Sequence, residues 1–179
     1  IDGKTILCNV ETAELIKYAS NALLSTKISF ANAISILSEK VGADVEIVLE
    51  GVGVDKRLGR SFLYPGVGYG GSCFPKDVRA LIAIAETHGY DFSLLRAVDE
   101  INKAMGKQFV EKIVTHFDGN LKGKRIEILG LSFKPDTDDM REAPSIGIIK
   151  GLLEKGATII AFDPVAMPKA KKILPLVFS

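Results

Sequence analysis

The densest group of reactive residue types is Ser72-Cys73-Phe74-Pro75-Lys76-Asp77, which follows the glycine-rich run Gly66-Val67-Gly68-Tyr69-Gly70-Gly71. Val78, Leu81, Ile82 and Ala85 then recur at helical spacing, and Pro75 suits a first helical position. Free N–H groups and the dipole at a helix start stabilise a thiolate, the nucleophilic form of cysteine. A lone cysteine more often just fills a tight turn. Here the glycine loop before it and Lys76 and Asp77 in the first turn shift the reading of Cys73 toward a nucleophile. Gly66 to Gly71 also spells G-x-G-x-x-G, but Pro65 in an irregular run precedes it and a helix follows. The dinucleotide fingerprint requires a strand before and an acidic strand end after. A compact loop whose backbone approaches a ligand is the better reading. Cys8, within Ile6-Leu7-Cys8, reads as a small buried hydrophobe. His88 and His116 stand apart from each other and from any cysteine, as helix-end or surface residues, so no metal site is expected.

These residues need elements to position them. From Thr12 to Val41 apolar residues fall three or four apart (Leu15, Ile16, Ala19, Ala22, Leu23, Ile28, Ala31, Ile34, Leu37), predicting a long helix capped by Thr12 and stopped by Gly42. Asp44 opens a short helix, Val45 to Glu50, closed by Gly51. Residues 51–74 hold seven of the 17 glycines and read as a functional loop. Helices follow from Pro75 to about His88, and from Ser93 or Asp91 to His116. The latter turns Leu94, Leu95, Val98, Ile101, Ala104, Met105, Phe109 and Ile113 inward. Beyond Asp118 the pattern becomes strand (Arg125 to Leu131), helix (Ser145 to Lys155), strand (Thr158 to Asp163). That is a βαβ unit with parallel pairing. Residues 165–179 are basic and irregular. The fold class is an all-α domain, residues 1–118, followed by the start of an α/β Rossmann-like parallel-sheet domain, residues 119–179.

The chain has 179 residues and a net charge of +1, so neither a nucleic-acid nor a membrane-surface partner is indicated. No apolar run is long enough to span a membrane. Two cysteines make no disulfide framework. The start at Ile1 without Met, and a single βαβ unit that cannot cover both faces of its strands, suggest a piece of a longer protein.

The stretch GVGYGGSCFPKD resembles the nucleotide-sugar 6-dehydrogenases of the UDP-glucose/GDP-mannose dehydrogenase family. So do three further segments in order: Glu14 to Asn21 (ELIKYASN), Val54 to Gly59 (VDKRLG), and Gly130 to Glu142 (GLSFKPDTDDMRE). The resemblance implies a helical central domain that dimerises, then a truncated UDP-binding domain, with the NAD-binding domain absent; alone, such a piece should not turn over. It implies a cytoplasmic, NAD-dependent enzyme of polysaccharide-precursor (UDP-glucuronate) synthesis that oxidises C6 of a nucleotide sugar in two steps. Cys73 would capture the aldehyde as a thiohemiacetal and pass through a thioester.

Lys17 and Asn21 are four apart, on one helix face; the resemblance implies that they face the developing oxyanion and an ordered water, and Asp77 the hydrolytic water. The resemblance assigns Lys17, Asn21, Arg57 (across the dimer), Phe62, Leu63, Tyr64, Pro65, Gly66, Gly70, Phe133 and Lys134 to the substrate. It assigns Cys73, Lys76 and Arg141 to NAD. The acidic run Asp136, Asp138, Asp139 reads as a solvated loop. SCFPKD and SFKPDTDD favour UDP-glucose over GDP-mannose or a UDP-N-acetylhexosamine. A non-catalytic nucleotide-sugar-binding dimerisation module and a generic thiol-redox protein are the rival classes, the latter lacking any C-x-x-C.

Overall fold

The structure is a computed structural model that describes residues 3–177. Helix α1 (Val10–Val41) runs 32 residues, about 48 Å at 1.5 Å each. Its cap is Asn9, whose side chain accepts from the Thr12 N–H at 3.0 Å. Thr12, the expected cap, lies inside the first turn. Gly42 ends the helix at φ 72°, a left-handed conformation that glycine adopts without strain. Asp44 caps α2 (Val45–Val54) by accepting from the Glu46 and Ile47 amides. Gly51 does not close α2 as expected; the helix continues through Gly53 to Val54. A Cβ at Gly53 would lie 2.9 Å from Arg60 Cα, so the glycine lets the returning chain pack directly on the helix.

After the loop come α3 (Phe74–Thr87) and α4 (Ser93–His116), both packed on α1. Strands β1 (Arg125–Leu129) and β2 (Thr158–Phe162) pair in parallel, Arg125 opposite Thr158 and Leu129 opposite Phe162, with α5 (Pro144–Glu154) between them in sequence. Helix α4 also packs on α5, so it backs both units. The tail expected to be irregular forms α6 (Met167–Ile173) and a 3₁₀ turn, Pro175–Val177. Seven residues are too few to show a helical period, and Ala166, Ala170 and Leu174 anchor the segment in the core.

Much of the apolar stripe of α1 is left uncovered by the chain itself. Ala22 and Ala31 are buried, but Leu15, Ile16, Leu23, Leu37 and Val41 are exposed, as is Phe30. The buried face carries Ser25, Ser29, Asn32 and Ser38 instead. Small side chains let α3 and α4 approach closely, and two of the hydroxyls find carbonyls: Ser25 donates to that of Asn21 in its own helix at 2.8 Å and Ser29 to that of Val98 in α4 at 3.1 Å. In α4, Leu95, Val98 and Met105 are buried as expected, whereas Leu94 and Phe109 are exposed. Cys8 is also exposed rather than buried. Among the described residues no helix is long and apolar enough to cross a membrane.

Candidate active site

A cavity of about 560 Å³ opens between α1, the glycine loop and the loop after β1. Phe62, Tyr64, Gly66, Gly70 and Cys73 line one side, and Phe133 and Lys134 line another. Cys73 is exposed and occupies the N-cap of α3. The helix starts one residue earlier than expected, with Phe74 first and Pro75 second.

Beside the sulfur stands a polar cluster. Asp77 is only 4% exposed. Its Oδ2 accepts from Lys17 Nζ at 2.9 Å and from Asn21 Nδ2 at 2.6 Å. Lys76 Nζ lies 3.4 Å from its other oxygen. Burial opposes ionisation of Asp77, but the hydrogen bonds from Lys17, Asn21 and Lys76 outweigh it and hold the carboxyl below its ordinary range. The same bond raises the Lys17 ammonium above its ordinary value. Both groups are therefore charged at neutral pH. Lys17 and Arg141 lie within electrostatic reach of Cys73.

The loop is held from two sides. Asn102 of α4 bonds the Tyr69 backbone at both its N–H, 2.8 Å, and its carbonyl, 3.0 Å. Gly71 N–H donates to the Arg141 carbonyl at 2.8 Å. There is no room for side chains at this crossing. A Cβ at Gly70 would fall on the Glu142 carbonyl, and one at Gly71 would come within 2.7 Å of the Phe133 ring. These contacts join the helical unit to the segment leading into α5. Arg79 adds ionic contacts at 3.5 Å to Asp99 and 3.4 Å to Glu142.

The segment 131–142 has its own supports. Asp163, at the end of β2, is 4% exposed and accepts four backbone N–H bonds. Oδ2 takes Leu131 at 2.8 Å and Ser132 at 3.1 Å; Oδ1 takes Val165 at 2.8 Å and Ala166 at 2.6 Å. Burial opposes its ionisation, but these four amides hold its carboxyl far below the usual range. Two of the three residues in the acidic run are paired: Asp139 with Arg141 at 2.6 Å and Asp138 with Lys169 at 2.9 Å. The Arg141 guanidinium lowers Asp139 to about 2.

Several residues expected at the substrate lie off the cavity in this chain. Leu63 is buried in the helical unit. Pro65 flanks the cavity wall without lining it. Arg57 projects into solvent, bound at 2.6 Å to Asp55. Lys76 and Arg141, expected at the cofactor, do not line the cavity either and are exposed. Conversely, Ile28, Asn32 and Tyr69 line the cavity and were not anticipated. A signal existed for two of them: Lys17, Asn21, Ile28 and Asn32 are spaced 4, 7 and 4, one stripe of a helix. Asn32 Oδ1 accepts from the Gly66 N–H at 2.7 Å, tying the loop to α1.

Comparison with known proteins matches this arrangement. The model of the UDP-glucose/GDP-mannose dehydrogenase family, central domain, matches residues 11–104, and that of the same family's UDP binding domain matches residues 127–177. The chain is 52% identical over 169 residues to UDP-glucose 6-dehydrogenase TuaD of Bacillus subtilis, covering 94% of this chain and 36% of that protein. It is 54% identical over 167 residues to UDP-glucose 6-dehydrogenase YwqF of the same organism, covering 93% and 38%. Among solved structures, a UDP-glucose dehydrogenase from the hyperthermophilic archaeon Pyrobaculum islandicum superposes with a TM-score of 0.93 at 42% identity, over 97% of this chain and 40% of that one. The chain thus spans well under half the length of these relatives.

Proposed function

The chain belongs to the UDP-glucose/GDP-mannose dehydrogenase family, and from that premise we propose that it is part of an NAD-dependent UDP-glucose 6-dehydrogenase. The enzyme would be cytoplasmic and homodimeric and would supply UDP-glucuronate for polysaccharide synthesis. Residues 1–118 serve as the helical dimerisation domain with the catalytic loop, and residues 119–179 as part of the UDP-binding domain. The observation that carries this is the exposed Cys73, placed in one cavity with Phe133 and Lys134 and beside the Lys17–Asn21–Asp77 cluster.

NAD, when bound, takes up the electrons of both oxidations, two molecules per sugar. The fit of this chain to it is partial: Lys76 and Arg141 are exposed cations on the Cys73 side, suited to a pyrophosphate or to the cofactor's outer edge. The chain's own residues do the rest. The Cys73 thiolate adds to the C6 aldehyde, and the S–C bond that forms keeps the aldehyde from leaving. The alkoxide so formed lies against Lys17 and Asn21, two donors pre-aimed by Asp77. Such donors are worth about 3–4 kcal/mol each at a developing oxyanion. After the second oxidation the adduct is a thioester. Water attacks its carbonyl, the S–C bond breaks and the thiolate leaves. Asp77 is a weak base, being held below the ordinary carboxylate range. It therefore orients that water more than it removes its proton. Phe133, Lys134 and the loop at Phe62, Tyr64, Gly66 and Gly70 would surround the phosphates and sugar, with Leu63 and Pro65 holding that loop from outside the cavity. Arg57 reaches the partner's sugar across the dimer.

Turnover of the full-length protein tests this reading. UDP-glucose should yield two NADH per sugar, with kcat/KM above that for GDP-mannose or UDP-N-acetylmannosamine. A Cys73→Ser variant should make no acid through an acyl-enzyme. Preference for GDP-mannose, or nucleotide-sugar binding without NADH formation, would replace it.

A further inference from the structure

We propose that Asn102 is a positioning residue for the Cys73 nucleophile, holding the glycine loop by its backbone from behind; this rests on the reading that Cys73 captures a sugar aldehyde. Asn102 accepts from the Tyr69 N–H and donates to the Tyr69 carbonyl at 2.8 and 3.0 Å. The side-chain amide thereby pairs both backbone groups of one loop residue, as a neighbouring strand would. Asparagine supplies the required acceptor and donor on one short side chain.

The loop also meets Asn102 at Gly68, where φ is 103° and a Cβ would lie 3.0 Å from Asn102 Oδ1 and 3.1 Å from its carbonyl oxygen. The fit leaves no slack on that side. From Tyr69 the constraint reaches the sulfur by two routes. Along the chain, only Gly70, Gly71 and Ser72 separate Tyr69 from Cys73. Through space, the buried Tyr69 ring meets Phe74 edge-on at 5.7 Å, and Phe74 is the residue next to Cys73. A run with this many glycines has much conformational freedom of its own, so its geometry must come from outside. Asn102 supplies it on one side and the Arg141 carbonyl on the other.

Sulfur placement matters to one half of the reaction. Oxidation of the alcohol to the aldehyde needs the sugar in place but no S–C bond. Oxidation to the acid level passes through that bond. Loosening the loop should therefore uncouple the two halves, which a general loss of folding would not do.

The test uses the full-length protein with Asn102→Ala, Asn102→Asp and Gly68→Ala. NADH per UDP-glucose consumed is measured, aldehyde is trapped as an oxime with an aminooxy reagent, and Cys73 alkylation by iodoacetamide is timed. Asn102→Asp keeps the size and the acceptor for Tyr69 N–H but sets an oxygen against the Tyr69 carbonyl. We expect kcat for acid formation to fall about 10–100-fold, as for a displacement on the order of 1 Å. KM for UDP-glucose should stay within about threefold, oxime should appear, and the NADH ratio should move from two toward one. A folded Asn102→Asp with the parent's rate and two NADH per sugar overturns the proposal. So does a rate loss in every variant with the ratio still at two. If the parent itself forms no NADH, the reaction reading falls instead. The alkylation arm then decides, and an unchanged Cys73 rate in folded Asn102→Asp overturns the positioning role.

Discussion

Replacing Asp163 tests how the loop that carries Phe133 and Lys134 is held. Each carboxylate oxygen serves two amides, one in a fully buried residue and one nearer solvent. Oδ2 holds Leu131 (0% exposed) and Ser132; Oδ1 holds Ala166 (0%) and Val165. In Asp163→Ala the Ser132 and Val165 amides can turn to water, but those of Leu131 and Ala166 cannot. A buried donor left without an acceptor costs about 1–3 kcal/mol, so the loss should be about 2–6 kcal/mol. Asp163→Asn keeps one oxygen and should lose about half as much, roughly 1–3 kcal/mol, with its amide group facing one pair of N–H donors. Even the smaller figure is a large share of the ~5–15 kcal/mol that holds a domain together.

The effect must also depend on pH. The folded carboxyl titrates far below its unfolded value of about 3.9, so its stabilisation is complete above that value. It is lost progressively as pH falls below about 4, and the gap between parent and Asp163→Ala should narrow there. Urea unfolding at pH 7 and pH 3, with amide exchange read at Leu131 and Ala166, measures all of this. If Asp163→Ala unfolds within ~0.5 kcal/mol of the parent at pH 7 and both amides stay as protected, the four-bond account is wrong.

Two other perturbations probe packing. Gly70→Ala drives a methyl into the Glu142 carbonyl and should cost about 1–3 kcal/mol. Gly66→Ala, with open space at its Cβ, should shift the melting temperature very little, and equal losses for the two would count against the close crossing. The proposed homodimer would pair through α1, so charges at the exposed Leu23 and Leu37 (Leu23→Lys, Leu37→Lys) should turn it into a monomer in sedimentation without unfolding the helices. A dimer that survives both changes would move the interface elsewhere.

Much of this was legible in the residues alone. The limits of α4, the parallel βαβ unit and the Lys17–Asn21 helix face follow directly from periodicity and spacing. Periodicity does not say which side of a helix its own chain covers. The bulky stripe of α1 therefore gives the helix but not the side its own chain covers, which carries serines and Asn32. Gly51 read as a stop and Gly53 as loop, yet both lie inside α2, where Gly53 serves close packing against Arg60, a residue no local pattern pairs with it. Asp163 and Asn102 act on backbone groups about 30 positions away. No local pattern marks such partners, since the bonds exist only once the strands and helices are assembled.

The crossing at Gly70 and Gly71 also limits how the two halves of the chain can swing. A pivot between residues 139 and 143 would tear the Gly71–Arg141 bond and force Glu142 through the glycine backbone. The stretch between α4 and β1 offers no free hinge either: Gly119 and Gly123 have open space at their Cβ positions, but Leu121 between them is buried in the core and α4 packs on α5. Cys73 and the Phe133–Lys134 loop are thereby carried on one body, so neither shifts without the other.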